Sequence, residues 1–198
     1  MSFWNNLFGK KKSPEEMDNP QSPFMPKKKD PIEISFASNF TNKGGKFLFV
    51  DSDEMAVSFF KEILIENRWV HSDIACLDSE ISFFYNLDLI NDEAAGINEK
   101  KILFIKCEFL IANTGGILIS SNQIKNLNLT QLPENIIITA NTKQFANDVS
   151  DGMSMLKSFY SDELPTNITT INPKNSNKES DFLTHGKGGK NIYLILNQ

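Results

Sequence analysis

The sequence predicts an α/β fold of three layers, in which helices cover both faces of a mostly parallel sheet. Short apolar runs, typical of buried strands, alternate with segments in which apolar residues recur every three or four positions, as in amphipathic helices. Turn-forming residues separate these segments. Strands that alternate with helices in this way usually pair in parallel, because each helix returns the chain to the end of the sheet where the previous strand began.

The first half of the predicted sheet contains two strand–helix pairs. We predict strands over residues 46–50 and 74–77 and helices over residues 53–68 and 79–87. Ser52 and Asp78 precede the two helices, and their side-chain oxygens can cap the free backbone N–H groups of the first turns. The β-α-β order begins with these elements.

The second half continues the alternation. Residues 102–112 and 117–121 predict two strands joined near the turn at residues 113–116, and residues 135–139 and 192–196 predict two more strands. A second long helix is expected from Thr142, because apolar residues then recur at helical spacing: Phe145, Val149, Met153, Leu156 and Phe159.

The charge of the chain is unevenly distributed. The formal net charge is -5, but residues 1–30 contain six lysines and four acidic residues. An acidic domain argues against a nucleic-acid protein, because phosphate binding depends on clustered lysine and arginine. We predict a disordered basic leader over residues 1–35 and one α/β domain over residues 36–198.

The leader starts with a short apolar segment before its first lysines. Phe3, Trp4, Leu7 and Phe8 would line one face of a helical turn, and residues 1–12 could then contact a membrane surface or an acidic partner. A plain disordered tail is the alternative. The sequence has neither an apolar run long enough to span a bilayer nor a signal peptide, so we expect a cytoplasmic protein.

Cysteine and histidine are too sparse to predict a metal or a cofactor. Cys76 and Cys107 lie in apolar stretches, outside any Cys-x-x-Cys spacing, and predict two buried thiols. His71 and His185 are far apart in the sequence. No catalytic set emerges from these residues, because nothing in their spacing places a nucleophile beside a base.

Polar and glycine-containing loops after predicted strands are candidate ligand sites, because ligands of α/β sheets bind beyond the carboxyl ends of strands. Three loops qualify: residues 113–116, residues 120–123, and His185 with Gly186. Ordinary turns explain each of them equally well from spacing alone. The last loop is not a phosphate-binding P-loop, because Asn191 follows Lys190 where that motif has Ser or Thr.

Three segments resemble the LUD family, of the lactate-utilization protein C type. Residues 110–121 are similar to the family's Ala-Glu-Thr-Gly-Thr followed by an apolar strand and Ser-Ser. Residues 164–171 resemble its Gly-Pro-Ser-x-Thr-Ala-Asp-Ile, and residues 184–186 resemble its Val-His-Gly. The segments follow the family's order, and the resemblance covers the chain from about residue 36 to the end.

The resemblance implies a fold similar to that of the sugar-phosphate isomerase and CoA-transferase group. It also implies a role in the oxidation of L-lactate to pyruvate with iron–sulfur partner subunits. The sequence departs from the family pattern at Asn113, where the family has Glu, at Gly116, where it has Thr, and at Thr170, where it has Asp. Because two carboxylates are missing, we expect a non-catalytic or weakly catalytic subunit that binds a small carboxylate or a partner's cofactor within a lactate-oxidising assembly.

The predicted ligand-binding set combines the candidate loops with the resembling segments. It consists of Asn113, Thr114, Gly115, Gly116, Ser120, Ser121, Asn122, Gln123, Pro165, Thr166, Asn167, His185 and Gly186. Two other functions stay open. One is an acyl- or CoA-transferring or sugar-phosphate-type enzyme, although Asn113 cannot serve as an acyl-accepting carboxylate. The other is an interaction module tethered to a membrane by residues 1–12.

Overall fold

The computed structural model describes residues 30–90, 97, 99–174 and 189–198, which form an α/β domain around a mostly parallel sheet. The helices are α1 (Ile32–Asn42), α2 (Asp53–Asn67), α3 (Ser79–Tyr85), α4 (Ser121–Ile124) and α5 (Val149–Phe159). The strands are β1 (Lys46–Val50), β2 (Ile74–Cys76), β3 (Ile102–Ile105), β4 (Phe109–Ile111), β5 (Gly116–Ile119), β6 (Asn135–Asn141), β7 (Phe145–Ala146), β8 (Thr169–Pro173) and β9 (Gly189–Asn197). The predicted fold class is confirmed.

The sheet has the strand order β2-β3-β6-β9-β8-β5-β4-β7, and β1 also pairs with β9. Strand β9 is central. One of its edges pairs with β6, and its other partners are β8 at residues 189–190 and β1 at residues 193–197. The pairs β4–β5 and β5–β8 are antiparallel, and the other pairs are parallel.

Apolar side chains bury both faces of the central strands. In β3, Leu103 and Ile105 join the cluster that contains Phe36 of α1, whereas Ile102 and Phe104 join the cluster formed with α2 and α3. Successive side chains of a strand point to opposite faces, so one apolar run supplies two cores. A third, smaller cluster lies between α5 and the antiparallel strands.

The strands predicted over residues 46–50, 74–77, 117–121, 135–139 and 192–196 and the helices α2 and α3 are confirmed, with small differences at their ends. The single strand predicted over residues 102–112 was wrong: the segment is interrupted at residues 106–108 and forms β3 and β4, which lie in different parts of the sheet. Ser52 accepts a hydrogen bond from the Met55 backbone N–H at 3.3 Å, and Asp78 accepts from Glu80 and Ile81 at 2.9 and 3.0 Å. Helix α2 ends one residue early because Arg68 is left-handed, with φ 56°. The two predicted caps therefore begin these helices.

The helix predicted from Thr142 was wrong at its start. It begins only at Val149, where Asp148 accepts a hydrogen bond from the backbone N–H of Asp151 at 2.9 Å. Phe145 instead belongs to strand β7, which pairs with β4. Phe145 is buried against Phe36, so the packing of this residue in the core overrides its helical spacing.

Helix α1 begins at Ile32, before the domain boundary predicted at residue 36. Phe36, Ala37 and Phe40 bury one face of this helix against the sheet. The extent of the leader stays a prediction, since residues 1–29 lie outside the described residues. Within the described ranges, the helices are too short or too polar to cross a membrane.

Candidate functional site

A cleft of about 460 Å³ lies at the carboxyl ends of the parallel strands. Its lining consists of Asp53, Ser79, Glu80, Ile81, Phe83, Phe84, Tyr85, Lys106, Thr139 and Asn197. These residues come from separate parts of the chain: the first turn of α2, the whole length of α3, the residue after β3, and the C-terminal parts of β6 and β9. Such an edge is where ligands of open α/β sheets bind.

Lys106 is the cation of the cleft, and two carboxylates hold it. Its Nζ lies 3.1 Å from Asp78 Oδ2 and 2.6 Å from Glu80 Oε2. Burial alone would lower the pKa of Lys106, but the hydrogen bonds to Glu80 and Asp78 outweigh burial and raise this pKa. Lys106 therefore stays charged over the physiological pH range.

The two carboxylates differ in how firmly they are fixed. Asp78 caps α3 with one oxygen and pairs with Lys106 through the other. Burial acts to raise the pKa of Asp78, but hydrogen bonds from the Ile81 backbone and from Lys106 lower it overall. The Glu80 side chain is 83 % exposed, and Lys106 is its ion-pair partner in the described part of the chain.

Neutral polar groups complete the floor of the cleft. The Asn197 side-chain amide donates to Thr139 Oγ1 at 3.1 Å, and the Tyr85 hydroxyl also hydrogen-bonds to Thr139. Burial raises the pKa of Tyr85 to about 12, although its bond to Thr139 acts in the opposite direction. Tyr85 is therefore an un-ionised hydrogen-bonding group at physiological pH.

Two phenyl rings border the opening of the cleft. Phe84 is 39 % exposed, and its ring meets that of Tyr85 edge-on with centroids 4.8 Å apart. Phe83 is 91 % exposed. The lining thus combines an aromatic wall, the cation Lys106, the carboxylates of Asp53 and Glu80, and neutral hydrogen-bonding groups. A largely apolar wall with a few polar groups is typical of a small-molecule site.

The loop at residues 113–116 forms the turn between β4 and β5. The Asn113 backbone N–H donates to Asn147 O at 3.0 Å, and Thr114 Oγ1 accepts from the Gly116 N–H at 3.1 Å. Asn39 of α1 donates to the Ala112 carbonyl at 2.8 Å. These bonds fasten the turn to α1 and to the segment before α5.

Residues 120–123 lie at the other end of β5 and surround a buried carboxylate. Three donors reach Glu108 Oε1: Ser120 Oγ at 2.6 Å, Asn122 Nδ2 at 3.1 Å and Gln123 Nε2 at 3.0 Å. The Tyr160 hydroxyl donates to Oε2 at 3.3 Å. Glu108 is 8 % exposed, and all these donors are neutral. Residues 120–123 therefore solvate this carboxylate inside the protein.

Residues 165–167 lie beside residues 120–123. Ser121 N–H donates to Thr166 O at 2.8 Å, and Thr166 N–H donates to Ser121 Oγ at 3.0 Å. Asn167, with φ 51°, donates from its side chain to Leu127 O at 2.6 Å. Pro165 is half-buried in the same loop.

The structure thus separates the predicted ligand-binding residues that it describes into two groups, one at each end of β5. Gly116 and Ser120 lie at opposite ends of β5, about 13 Å apart at ~3.3 Å per residue. His185 and Gly186 lie outside the described residues. Where the structure describes the predicted set, none of its members lines the cleft. Ligand binding by the set stays a prediction.

The sequence indicated the residues of the cleft only weakly. Asp53 and Lys106 each come shortly after a strand, which is the position that ligand-binding side chains occupy in parallel sheets. In the sequence, Asp53 is explained by a helix first turn and Lys106 by a break in an apolar segment. Only the strand order brings them to the same cleft.

The buried thiols predicted at Cys76 and Cys107 are confirmed. Burial raises the pKa of both thiols, so neither is an activated nucleophile at physiological pH. In the ranges that the structure describes, no three His, Cys, Asp or Glu side chains are grouped as metal ligands.

Replacement of Glu108 tests the buried carboxylate. We expect Glu108→Ala to lower the free energy of unfolding by about 3 kcal/mol, because it removes the acceptor of the buried Ser120 hydroxyl and of the Asn122 and Gln123 side-chain amides. Glu108→Gln should cost less, since its carbonyl oxygen can still accept from Ser120. The control Glu134→Ala removes an exposed ion pair with Lys174 and should cost about 1 kcal/mol or less. Urea denaturation measures both variants. Equal decreases in the free energy of unfolding for Glu108→Ala and Glu134→Ala would contradict the structural role of Glu108.

Comparison with known proteins identifies the family. A model of the LUD domain matches residues 97–196, which is half of the chain. A search of curated proteins finds no match. The fold is similar to that of a DUF162 family protein from Deinococcus radiodurans, with 15% sequence identity and a TM-score of 0.59. That likeness covers 84% of this chain and 96% of the other. By the extent of the family match, this chain belongs to the LUD domain family.

Proposed function

We propose that the chain is an accessory, ligand-binding subunit of an assembly that oxidises L-lactate to pyruvate. Iron–sulfur partner subunits would carry the electrons. Membership of the LUD family and the resemblance of residues 110–121 and 164–171 to the lactate-utilization type support this proposal. The cleft at the carboxyl edge of the sheet carries the ligand-binding part of the proposal.

The composition of the cleft favours binding over catalysis. Lys106 is held between Asp78 and Glu80 and supplies a positive charge for an acid. Tyr85, with its raised pKa, donates or accepts hydrogen bonds without ionising. At the β4–β5 turn, Asn113 stands where the family pattern has a carboxylate, so a group that could accept an acyl chain is missing there.

Growth on L-lactate tests the physiological part of the proposal. Deletion of the gene should abolish growth on L-lactate and leave growth on pyruvate unchanged, because only lactate oxidation needs the assembly. The wild-type gene and the control Lys157→Met, which changes an exposed lysine of α5, should restore growth. Lys106→Met should restore it poorly. Normal growth of the deletion strain on L-lactate would refute the proposed role.

Capture of the tagged full-length chain tests its partners. Under mild conditions the chain should co-purify with iron and acid-labile sulfide in proportion to the protein, and the captured assembly should reduce an artificial electron acceptor when L-lactate is added. Iron at the level of an untagged extract would contradict the partnership.

The same growth assay separates the cleft from the predicted loops. If the cleft holds the ligand, Thr114→Ala should support wild-type growth, because Thr114 contacts the Gly116 backbone within the turn. If the predicted loops hold it, Thr114→Ala and His185→Ala should both slow growth on L-lactate, while growth on pyruvate stays normal.

A further inference from the structure

We propose that the cleft selects a planar aromatic monocarboxylate, which is larger than lactate and displaces Glu80 from Lys106. This inference rests on the proposed function only in taking the cleft as the ligand site. Three observations carry it: the volume of the cleft, its exposed rings, and the unequal hold of Asp78 and Glu80 on Lys106.

The volume of the cleft argues against lactate as its occupant. The cleft measures about 460 Å³, within the range of sites that enclose drug-sized ligands. Lactate is a very small acid and would leave most of this volume to water. A second hollow of about 450 Å³ lies beside the cleft and shares Asp53 and Phe84 with it. The site therefore has room for a ring system.

The phenyl rings give this ring system a surface to pack on. Phe84 lines both hollows and is 39 % exposed, whereas Tyr85 next to it is buried. Tyr85 holds the ring of Phe84 from one side by an edge-on contact. An aromatic ligand that covers Phe84 would remove apolar surface from water and gain stacking or edge contacts.

Lys106 supplies the anchor for the acid group. Asp78 is tied to the backbone of α3 by two hydrogen bonds, so it keeps Lys106 in place when Glu80 leaves. The exposed carboxylate of Glu80 occupies the position on Lys106 that a ligand carboxylate would take, at 2.6 Å. In the free protein Glu80 thus acts as an internal competitor of the ligand.

The charges around Lys106 also limit the ligand to one negative charge. Asp53 lines the same cleft, and Asp78 already offsets part of the positive charge of Lys106. A phosphate monoester would bring a second negative charge next to these carboxylates, where like charges repel. Thr139 and Asn197 offer hydrogen bonds to neutral substituents on the ring.

Calorimetric titration of the purified full-length chain tests the inference. We expect cinnamate to bind, and cinnamamide, its uncharged counterpart, and L-lactate to bind at least about tenfold more weakly, the factor expected for one charge-assisted hydrogen bond. Lys106→Met and Phe84→Leu should each weaken cinnamate binding by about tenfold. Phe159→Leu, which changes an exposed ring of α5, is the control for the ring substitution and should bind as the wild type does.

Glu80→Gln distinguishes displacement from simple binding. Loss of the internal competitor should tighten cinnamate binding by about twofold to fivefold, which matches the strength of one exposed ion pair. The control Glu66→Gln breaks a comparable exposed pair with Lys46 and should leave affinity unchanged. Unchanged or weaker binding by Glu80→Gln would overturn the displacement of Glu80.

Failure of this inference differs from failure of the proposed function. If L-lactate binds as well as cinnamate, or cinnamate does not bind, the aromatic ligand class is wrong even when growth on L-lactate depends on the gene. If cinnamate binds as expected while the deletion strain grows normally on L-lactate, the ligand class stands and the role in lactate oxidation falls.

Discussion

Phe36→Ala is expected to lower the free energy of unfolding by about 3–5 kcal/mol, the range measured for the loss of a buried phenyl ring. Phe36 is fully buried between α1 and the sheet. Its ring packs on Phe40, Phe47 and Phe145, with centroids 5.3, 6.4 and 5.6 Å away. Alanine would leave a cavity where these elements meet, and the surrounding strands cannot collapse into it.

Urea denaturation followed by far-ultraviolet circular dichroism measures this loss. The control Phe83→Ala removes the same group from a side chain that is 91 % exposed and should change stability by less than about 0.5 kcal/mol. Similar unfolding midpoints for the two variants would show that α1 does not pack on the domain. The pair therefore also tests whether the folded domain begins before residue 36.

Gly115→Ala is expected to lower the free energy of unfolding by about 3 kcal/mol or more, for two independent reasons. Gly115 has φ +66°, which strains any residue with a Cβ atom. An added Cβ would also lie 2.4 Å from the backbone nitrogen of Phe40 and 2.5 Å from the carbonyl carbon of Asn39. Backbone atoms of a helix cannot move aside as a side chain can, so α1 and the β4–β5 turn would separate.

Gly152→Ala is the matched control for this substitution. Gly152 lies inside helix α5, and the nearest atom to an added Cβ is Ile111 Cδ1 at 3.2 Å. Alanine is favoured over glycine in a helix by about 1 kcal/mol, which offsets a small shift of the Ile111 side chain. We expect a net change within about 1 kcal/mol. A Gly115→Ala variant as stable as Gly152→Ala would show that the turn does not touch α1.

The fold was largely predictable because the central strands are compact apolar runs and two helices carry their own caps. The segment after β1 is an example. The strand ends at Val50, Ser52 caps the next helix, and Asp53 begins its first turn. Strand β8, with the sequence Thr-Thr-Ile-Asn-Pro, has no such run and was not predicted. Phe145 was assigned wrongly because its spacing to Val149 is helical, while contact with Phe36 across the core holds it in a strand. Such a distant contact leaves no local trace in the sequence.

The candidate site was less predictable, because it depends on strand order. Lys106, Thr139 and Asn197 are far apart in the sequence and meet because β3, β6 and β9 are adjacent and parallel. Gly115 was predicted as part of a ligand-binding loop, and the close approach shown by the structure is to the backbone of α1. A sequence motif of this kind specifies the backbone geometry without specifying the neighbour.

The pairing of β1 with β9 has a consequence for folding kinetics. It joins residues 46–50 to residues 193–197, so the chain must close a very long loop before these strands gain any hydrogen bonds. The β4–β5 hairpin is local and can form in about 1–10 μs, whereas sheets built from such distant pairs fold in about milliseconds to seconds. During that interval the apolar strands β3 and β6 are exposed. Refolding yield should therefore fall as protein concentration rises, because intermolecular strand pairing competes with the closure of β9.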